Sequence, residues 1–309
     1  MTAARALMLL GFSTSAAVLP LLADGPLRPV GDYGGRSITA TEIRVLDVSI
    51  PAIFRIDRAS LRFAALPLSG ADVPLDPYGF AEPGDGTFWI LAGRGRFVFR
   101  FSETSGELVD KRTLSDPGQG IATLWDRVGI VAVRIRPGER LLLRRESSGF
   151  FPFSALLSRP APGITAQLIR NLLRCGSGTG RAIPVWYTAG AAEVLLLGRD
   201  GRIRSIPVPS FASPPDSSEA NAEPEGTFTY PVRDAFLGKH GLSVLSNQEG
   251  GRTPLESGAS RGRHAVLLRD GRPNRVVPLD REARALLDVD EQSLVVLFAD
   301  GVVSRVKLP

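Results

Sequence analysis

Cysteine and histidine are nearly missing from this chain. Cys175 stands alone, so no disulfide can form within the molecule. That fits any compartment, because a fold with enough core needs no covalent staple. His240 and His264 are the only histidines, which narrows imidazole-based metal or triad chemistry. Lysine is scarce as well: Lys111, Lys239 and Lys307 leave 34 of the 37 basic residues as arginine. Aromatic residues make up 7% of the composition, so few stacking platforms exist for sugars or bases. The formal net charge is +5, but 32 acidic residues are spread among the arginines with no dense basic run. The concentrated basic face that nucleic-acid binding needs is therefore absent, and no nucleic-acid partner is expected. Where an arginine does act on a partner, its fork suits carboxylate or phosphate; a solvated strand face is the simpler use.

Long apolar runs are missing too, with one exception. After Arg5, the mostly apolar stretch from Ala6 to Ala23 reads as a secretory signal with cleavage after Ala17 or Ala23. An uncleaved anchor and a helix packed on the domain are the alternatives. No other segment approaches the ~18 to 20 apolar residues that span a bilayer. Residues 1–23 are thus expected to be a signal peptide or N-terminal anchor, with no further integral membrane domain. The protein is expected to be exported, to the periplasm or beyond. Residues 24–309 are expected to form a single domain.

What the chain has in quantity is short apolar stretches in pairs, each pair joined by turn-forming residues. The turn centres are Pro51, Arg94, Pro137, Asp200, Gly250 and Asp300, which lie 43, 43, 63, 50 and 50 residues apart. A hairpin returning every ~40 to 50 residues marks a propeller or an array of four-stranded units. The clearest unit begins near Tyr78. Thr87 to Ala92 is almost wholly apolar, as for a strand buried on both faces, and Gly93-Arg94-Gly95 suits a tight hairpin. Phe97, Phe99 and Phe101 then alternate with Val98 and Arg100. Arg199-Asp200-Gly201-Arg202 and Arg269-Asp270-Gly271-Arg272 are near-identical turns between apolar runs. The Asp270 turn falls off the main spacing and reads as the second hairpin of its unit.

The expected fold is all-β: a β-propeller of six four-stranded blades, with the unfinished last blade closed by a strand from residues 26–41. Two stretches depart from the repeat. Residues 150–181 carry Ile164, Leu168, Leu172 and Leu173 at helical spacing, an insertion readable as a short helix or as a poorly patterned strand. Pro209 to Gly226 is rich in Pro, Ser, Ala and Glu and reads as a surface loop.

Chemistry-bearing patterns are few. Gly176 to Arg181 resembles a phosphate cradle, but a helical pattern precedes the glycines and a strand follows them, the reverse of what such a loop requires. Asp288-Val289-Asp290-Glu291 lacks the central glycine and further oxygen ligands of a calcium loop and reads as a turn. Trp125-Asp126 occurs once and reads as packing. No spacing supports a catalytic pair for His240 or Cys175. No catalytic residue, metal ligand or cofactor is assigned.

The run from Asp85 to Ala92, followed by Arg96 to Phe101, resembles the blade consensus of bacterial six-bladed propellers of the NHL and TolB-like type. Glu193 to Val208 looks similar. That resemblance implies a six-bladed fold whose members serve as interaction scaffolds, exported binding proteins or calcium-dependent lactonases. The enzymes of that group hold metal through Glu, Asp and Asn at the central channel; the four asparagines here do not fall at the start of an innermost strand. The expectation is a non-enzymatic binding or protein-interaction module for a protein, peptide or glycan. A calcium-dependent hydrolase with carboxylates on the axis is the alternative, and an assembly component with exposed apolar blade faces is a third. A channel site built by innermost strands would hold Glu82, Trp125, Asp126, Trp186, Tyr187, Arg233, Asp234 and Asp288.

Overall fold

The computed structural model describes residues 33–70, 77, 79–93, 95–114, 120–124, 127–134, 140–145, 149–151, 173–176, 182–187, 193–198, 203–209, 227–228, 232–246, 253–254, 262–269 and 274–308. The expected leader at 1–23, Trp125-Asp126, most of the 150–181 segment and the 209–226 loop beyond Pro209 lie outside them. Every described element is a strand, and no described helix is long and apolar enough to cross a membrane.

Four antiparallel four-stranded sheets follow one another along the chain. The first holds β1 (Tyr33–Ile38), β2 (Glu42–Asp47), β3 (Ala52–Asp57) and β4 (Phe63–Pro67), in that order. The second holds β5 (Gly79–Ala81), β6 (Thr87–Ala92), β7 (Phe97–Ser102) and β8 (Leu108–Thr113). The third runs from β9 (Gly120–Leu124) through β10 (Arg127–Arg134) and β11 (Arg140–Arg145) to β12 (Gly149–Phe151). The fourth comprises β13 (Leu173–Cys175), β14 (Ala182–Tyr187), β15 (Glu193–Gly198) and β16 (Ile203–Pro207). A fifth sheet has six strands: β18 (Val232–Gly238), β19 (Gly241–Ser246), β21 (Gly262–Leu268), β22 (Arg275–Val289), β23 (Ser293–Phe298) and β24 (Val303–Lys307). The short β17 (Thr227–Phe228) and β20 (Thr253–Pro254) pair with each other.

The sheets close into a ring. β1 lies beside β5, β5 beside β9, β9 beside β13, β14 beside β18, β18 beside β22, and β22 beside β1. Packing explains why. Ile43, Val45, Phe54 and Ile56 of the first sheet bury one face against Ala285, Leu287, Val295 and Leu297 of the last. Leu46 and Ile53 bury the opposite face against Phe80, Phe88, Ile90 and Phe101 of the second. Trp186 and Leu196 of the fourth sheet pack on Val232 and Val244 of the fifth. The first sheet is thus apolar on both sides, and so is the second, where β6 reads as an unbroken hydrophobic run; β6 and β23 are buried throughout. Stacking such sheets round an axis is the arrangement of a β-propeller.

One detail corrects the sequence expectation. Separate four-stranded sheets number four instead of six, because β22 is a single 15-residue strand. Arg275 to Pro278 pair with β21, Ala283 to Val289 pair with β23, and no loop intervenes. The expected closing strand from 26–41 is not shown: β1, within that stretch, pairs with β2 at the inner edge of the first sheet and not with β24, and residues 26–32 lie outside the described residues.

The two near-identical Asp-Gly turns prove equivalent. One joins β15 to β16 and the other joins β21 to β22, each after the third strand of its meander. The 63-residue gap therefore arises because the Asp200 turn lies one hairpin later than the others. The leucine-rich end of the 150–181 segment supplies a strand, β13, with Leu173 opposite Tyr187, so its helical spacing is not realised there.

Candidate functional site

Every sheet starts at its inner strand, so the inner strands all run the same way and the ring has two different ends. At the leading end the inner strands begin; at the trailing end they turn back into second strands. The residues expected to share one channel site divide between them. Glu82 follows β5, and Asp288 lies near the finish of β22, both trailing. Trp125 and Asp126 follow β9 and lie outside the described residues. Arg233 and Asp234 stand near the start of β18. Trp186 and Tyr187 belong to β14, a second strand, and face β13 in register, so they do not form an innermost strand as expected. Trp186 is 3% exposed and is packing, not a platform.

Each described acidic residue of the expected site is met by an arginine from the first sheet. Arg36 of β1 donates from Nη1 to Asp234 Oδ2 at 2.7 Å and from Nη2 to the Ala235 carbonyl at 3.0 Å. Its Nη1 also reaches the Tyr33 hydroxyl at 2.8 Å, and its guanidinium lies 5.1 Å from the Phe236 ring centre. The Leu286 amide donates to the same Asp234 oxygen at 2.8 Å. The two side chains are 1% and 3% exposed, so this is a buried ion pair tying three inner strands together. Burial pushes the Asp234 carboxyl up, against the pull of Arg36 and the Leu286 amide. Burial would lower Arg36, but Asp234 and Tyr33 together outweigh it and hold the guanidinium charged. The Tyr33 hydroxyl is raised well above its ordinary range, chiefly because burial disfavours the phenolate.

At the trailing end the pattern repeats with other partners. Arg44 of β2 contacts Glu82, Glu103 at 2.5 Å and Glu42 at 3.2 Å, bridging the first and second sheets. Burial raises the Glu82 carboxyl, opposed by Arg44 and by a hydrogen bond involving Ser37. Arg58, in the turn after β3, donates from Nε to Asp288 Oδ2 at 2.8 Å and from Nη1 to the Thr39 and Ala40 carbonyls at 3.1 Å. Arg305 donates in turn to the Arg58 carbonyl. Asp290 caps the turn between β22 and β23, accepting from the Ser293 amide at 2.6 Å and the Gln292 amide at 2.7 Å. Its pKa is lowered: burial would raise it, but the bonds from Ser293 and Gln292 prevail. Of the Asp288-to-Glu291 run, read from sequence as a turn, Asp288 and Val289 still belong to β22 and pair with β23, so only Asp290 and Glu291 lie in the turn.

Among the described residues no three Asp, Glu, His or Cys side chains come together in a way that could hold a metal. Gly176, first glycine of the apparent phosphate cradle, instead marks a close approach: a Cβ there would strike the Ala235 carbonyl and crowd Pro184 and Trp186. The large apolar side chains exposed among the described residues are Ile50 and Val109, on separate elements, which gives no support to an apolar docking face. Sequence reasoning missed Arg36, Arg44 and Arg58. Their alternation along strands was visible, but nothing local tells an outward arginine from one reaching the next sheet.

No known protein family's sequence profile and no curated protein sequence matches the chain. Solved structures do. A candidate exported protein of Bacteroides fragilis superposes with a TM-score of 0.58 at 10% identity, over 91% of this chain and 83% of that one. Virginiamycin B lyase of Staphylococcus aureus gives 0.49 at 13% identity, over 89% and 80%. A β-propeller domain from Myceliophteria thermophila gives 0.47 at 10% identity, over 90% and 98%. At such identity the first of these speaks to the fold alone, and the propeller arrangement is read from the ring of sheets described above.

Proposed function

We propose that this protein is an exported, non-enzymatic β-propeller that binds a protein, peptide or glycan ligand at one mouth of its ring. Six blades follow if the six-stranded sheet is counted as two units sharing β22, with the closing strand assigned to the segment that precedes β1. The observation that carries the binding reading is the engagement of Glu82, Asp234 and Asp288 by Arg44, Arg36 and Arg58. These carboxylates hold sheets together at three separate places. A calcium-dependent hydrolase needs six or more oxygens converging within about 2.6 Å of one point, and clasped carboxylates are poorly placed to supply them. The apolar stretch after Arg5 supports export.

Two measurements test this. Expressed with its own leader, the protein is expected in the exported fraction with a mature amino terminus at Val18 or Asp24; retention in the cytosol with Met1 intact removes the export reading. Screened on peptide and glycan arrays, the purified protein is expected to bind a ligand saturably, with affinity unchanged by EDTA. Calcium-dependent hydrolysis of lactone or ester substrates would replace the binding reading with the enzymatic one.

A further inference from the structure

The Arg36–Asp234 pair joins two inner strands that are not neighbours. Round the ring β1 lies beside β22, and β22 beside β18, so Arg36 on β1 reaches Asp234 on β18 past the strand between them. That reach runs on the axis side of β22. The Leu286 amide, on the edge of β22 away from β23, points the same way and donates to the same Asp234 oxygen at 2.8 Å. A fourth inner strand arrives at this point. Gly176 directly follows β13 and lies so near the Ala235 carbonyl that a Cβ would strike it. The same carbonyl accepts from Arg36 Nη2 at 3.0 Å. Groups on or beside β1, β13, β18 and β22 thus meet around one guanidinium.

Glycines draw the other two inner strands in. A Cβ at Gly35 of β1 would stand 3.0 Å from the Phe80 Cβ of β5, and one at Gly79 of β5 would stand 2.8 Å from Ile121 Cγ2 of β9. Glycine in a strand marks such close approaches. Bulges help to aim the polar groups, because a bulge bends its strand and re-aims the side chains beside it. In β18 the pairing steps from Val232↔Ser246 to Asp234↔Leu245, immediately before the carboxylate. In β22 it steps from Ala283↔Phe298 to Ala285↔Leu297, immediately before Leu286. The Arg36 and Asp234 side chains are 1% and 3% exposed, and Leu286 is fully buried. A water-filled axis would leave all three wet. An ion pair so far from water is tolerable only where further hydrogen bonds complete it, and Tyr33, Ala235 and Leu286 do so.

We infer that the ring has no through-channel: Arg36 and Asp234 bar its axis, and each mouth is a blind cup. For the ligand, this rests on the binding reading above and sharpens it: a peptide or glycan chain docks by an end or a side group at one mouth and does not thread the ring. The probe is the Leu286 amide, which would face water if the axis were open. Measured by NMR on the whole protein, its hydrogen exchange is expected to be at least about a hundredfold slower than in the unfolded chain. Any faster exchange overturns the inference. Two double variants separate a blocked axis from a merely stabilising pair, with the amide of Val296, in the ladder between β22 and β24, as reference. Arg36→Ala with Asp234→Asn keeps an acceptor for Leu286 but empties the axis, and should speed exchange at Leu286 at least about tenfold more than at Val296. Arg36→Met with Asp234→Asn refills the axis with an apolar chain and should restore slow exchange at Leu286. Equal acceleration at Leu286 and Val296, or equal acceleration of Leu286 in both variants, overturns the inference. If the variants do not fold, the wild-type rate decides. Slow exchange at Leu286 with no ligand on either array leaves the plug standing and removes the binding reading. Fast exchange with an array ligand bound does the reverse.

Discussion

The two ends of the inner strands use the same kind of ion pair at different depths. At the trailing end arginines of the first sheet meet carboxylates of its neighbours: Arg44 bridges Glu82 and Glu103, and Arg58 holds Asp288. Acid and base come from different sheets, so the pairs act as clasps across the grooves where sheets abut. At the leading end Arg36 and Asp234 make one pair buried on both sides, tying β1 to β18 and, through the Leu286 amide, to β22. Arginine over lysine suits both ends, because a long rigid fork can span from one sheet to the next.

The largest expected effect lies where this contrast begins. Replacing Asp234 with Ala leaves Arg36 buried without its counter-charge and should cost about 3–5 kcal/mol, read as a fall in the urea midpoint. A loss under about 1 kcal/mol would mean that Arg36 finds water and that the middle of the ring is wetter than its burial implies. Next comes Arg44→Ala at the trailing end. It strips Glu82 of its partner in a partly buried site, and a loss of about 2–3 kcal/mol is expected by the same measurement. If Arg44→Ala costs more than Asp234→Ala, the ranking of the two ends is reversed.

A smaller and pH-dependent effect belongs to Asp290. Its folded pKa is depressed from the ordinary 3.8, so its hydrogen bonds stabilise the fold above that value and are lost as pH falls through the lower folded one. The melting temperature of Asp290→Asn should therefore fall less than that of wild type between about pH 5 and pH 2.5. Parallel curves would show that the turn cap is not coupled to stability. Last, Val109→Ser on the exposed face of β8 should shift stability by less than about 0.5 kcal/mol. A larger change would reveal that this face, 55% exposed at Val109, is covered in solution.

Much of the fold is legible because hairpins are local. Asp200-Gly201, Asp270-Gly271 and Asp300-Gly301 sit between apolar runs, and the flanking strands pair as those runs imply. Thr87 to Ala92 announces a strand apolar on both faces and is buried throughout. The site is less legible because its partners are distant. Arg36 and Asp234 are 198 residues apart, and nothing near either names the other. Inner strands were also hard to assign: β13 is three residues long inside a leucine-spaced segment, so Trp186 and Tyr187 looked innermost when they are second. Bulges leave no trace in composition. Val232-Arg233-Asp234 and Ala283-Arg284-Ala285 read as ordinary strand, and their irregularity exists only against β19 and β23.

The unbroken course of β22 has a further consequence. Elsewhere a connecting segment lets one sheet finish before the next begins, so loops there can lengthen at little cost to packing. Between β21 and β23 one strand serves both neighbours, and the register breaks across Leu279 to Glu282, so an insertion near Asp280 would fall where the ladder is already irregular, whereas one within Ala283 to Val289 would disturb the pairing with β23. Amides of Ala283 to Val289 should accordingly open together with those of β23 in hydrogen exchange.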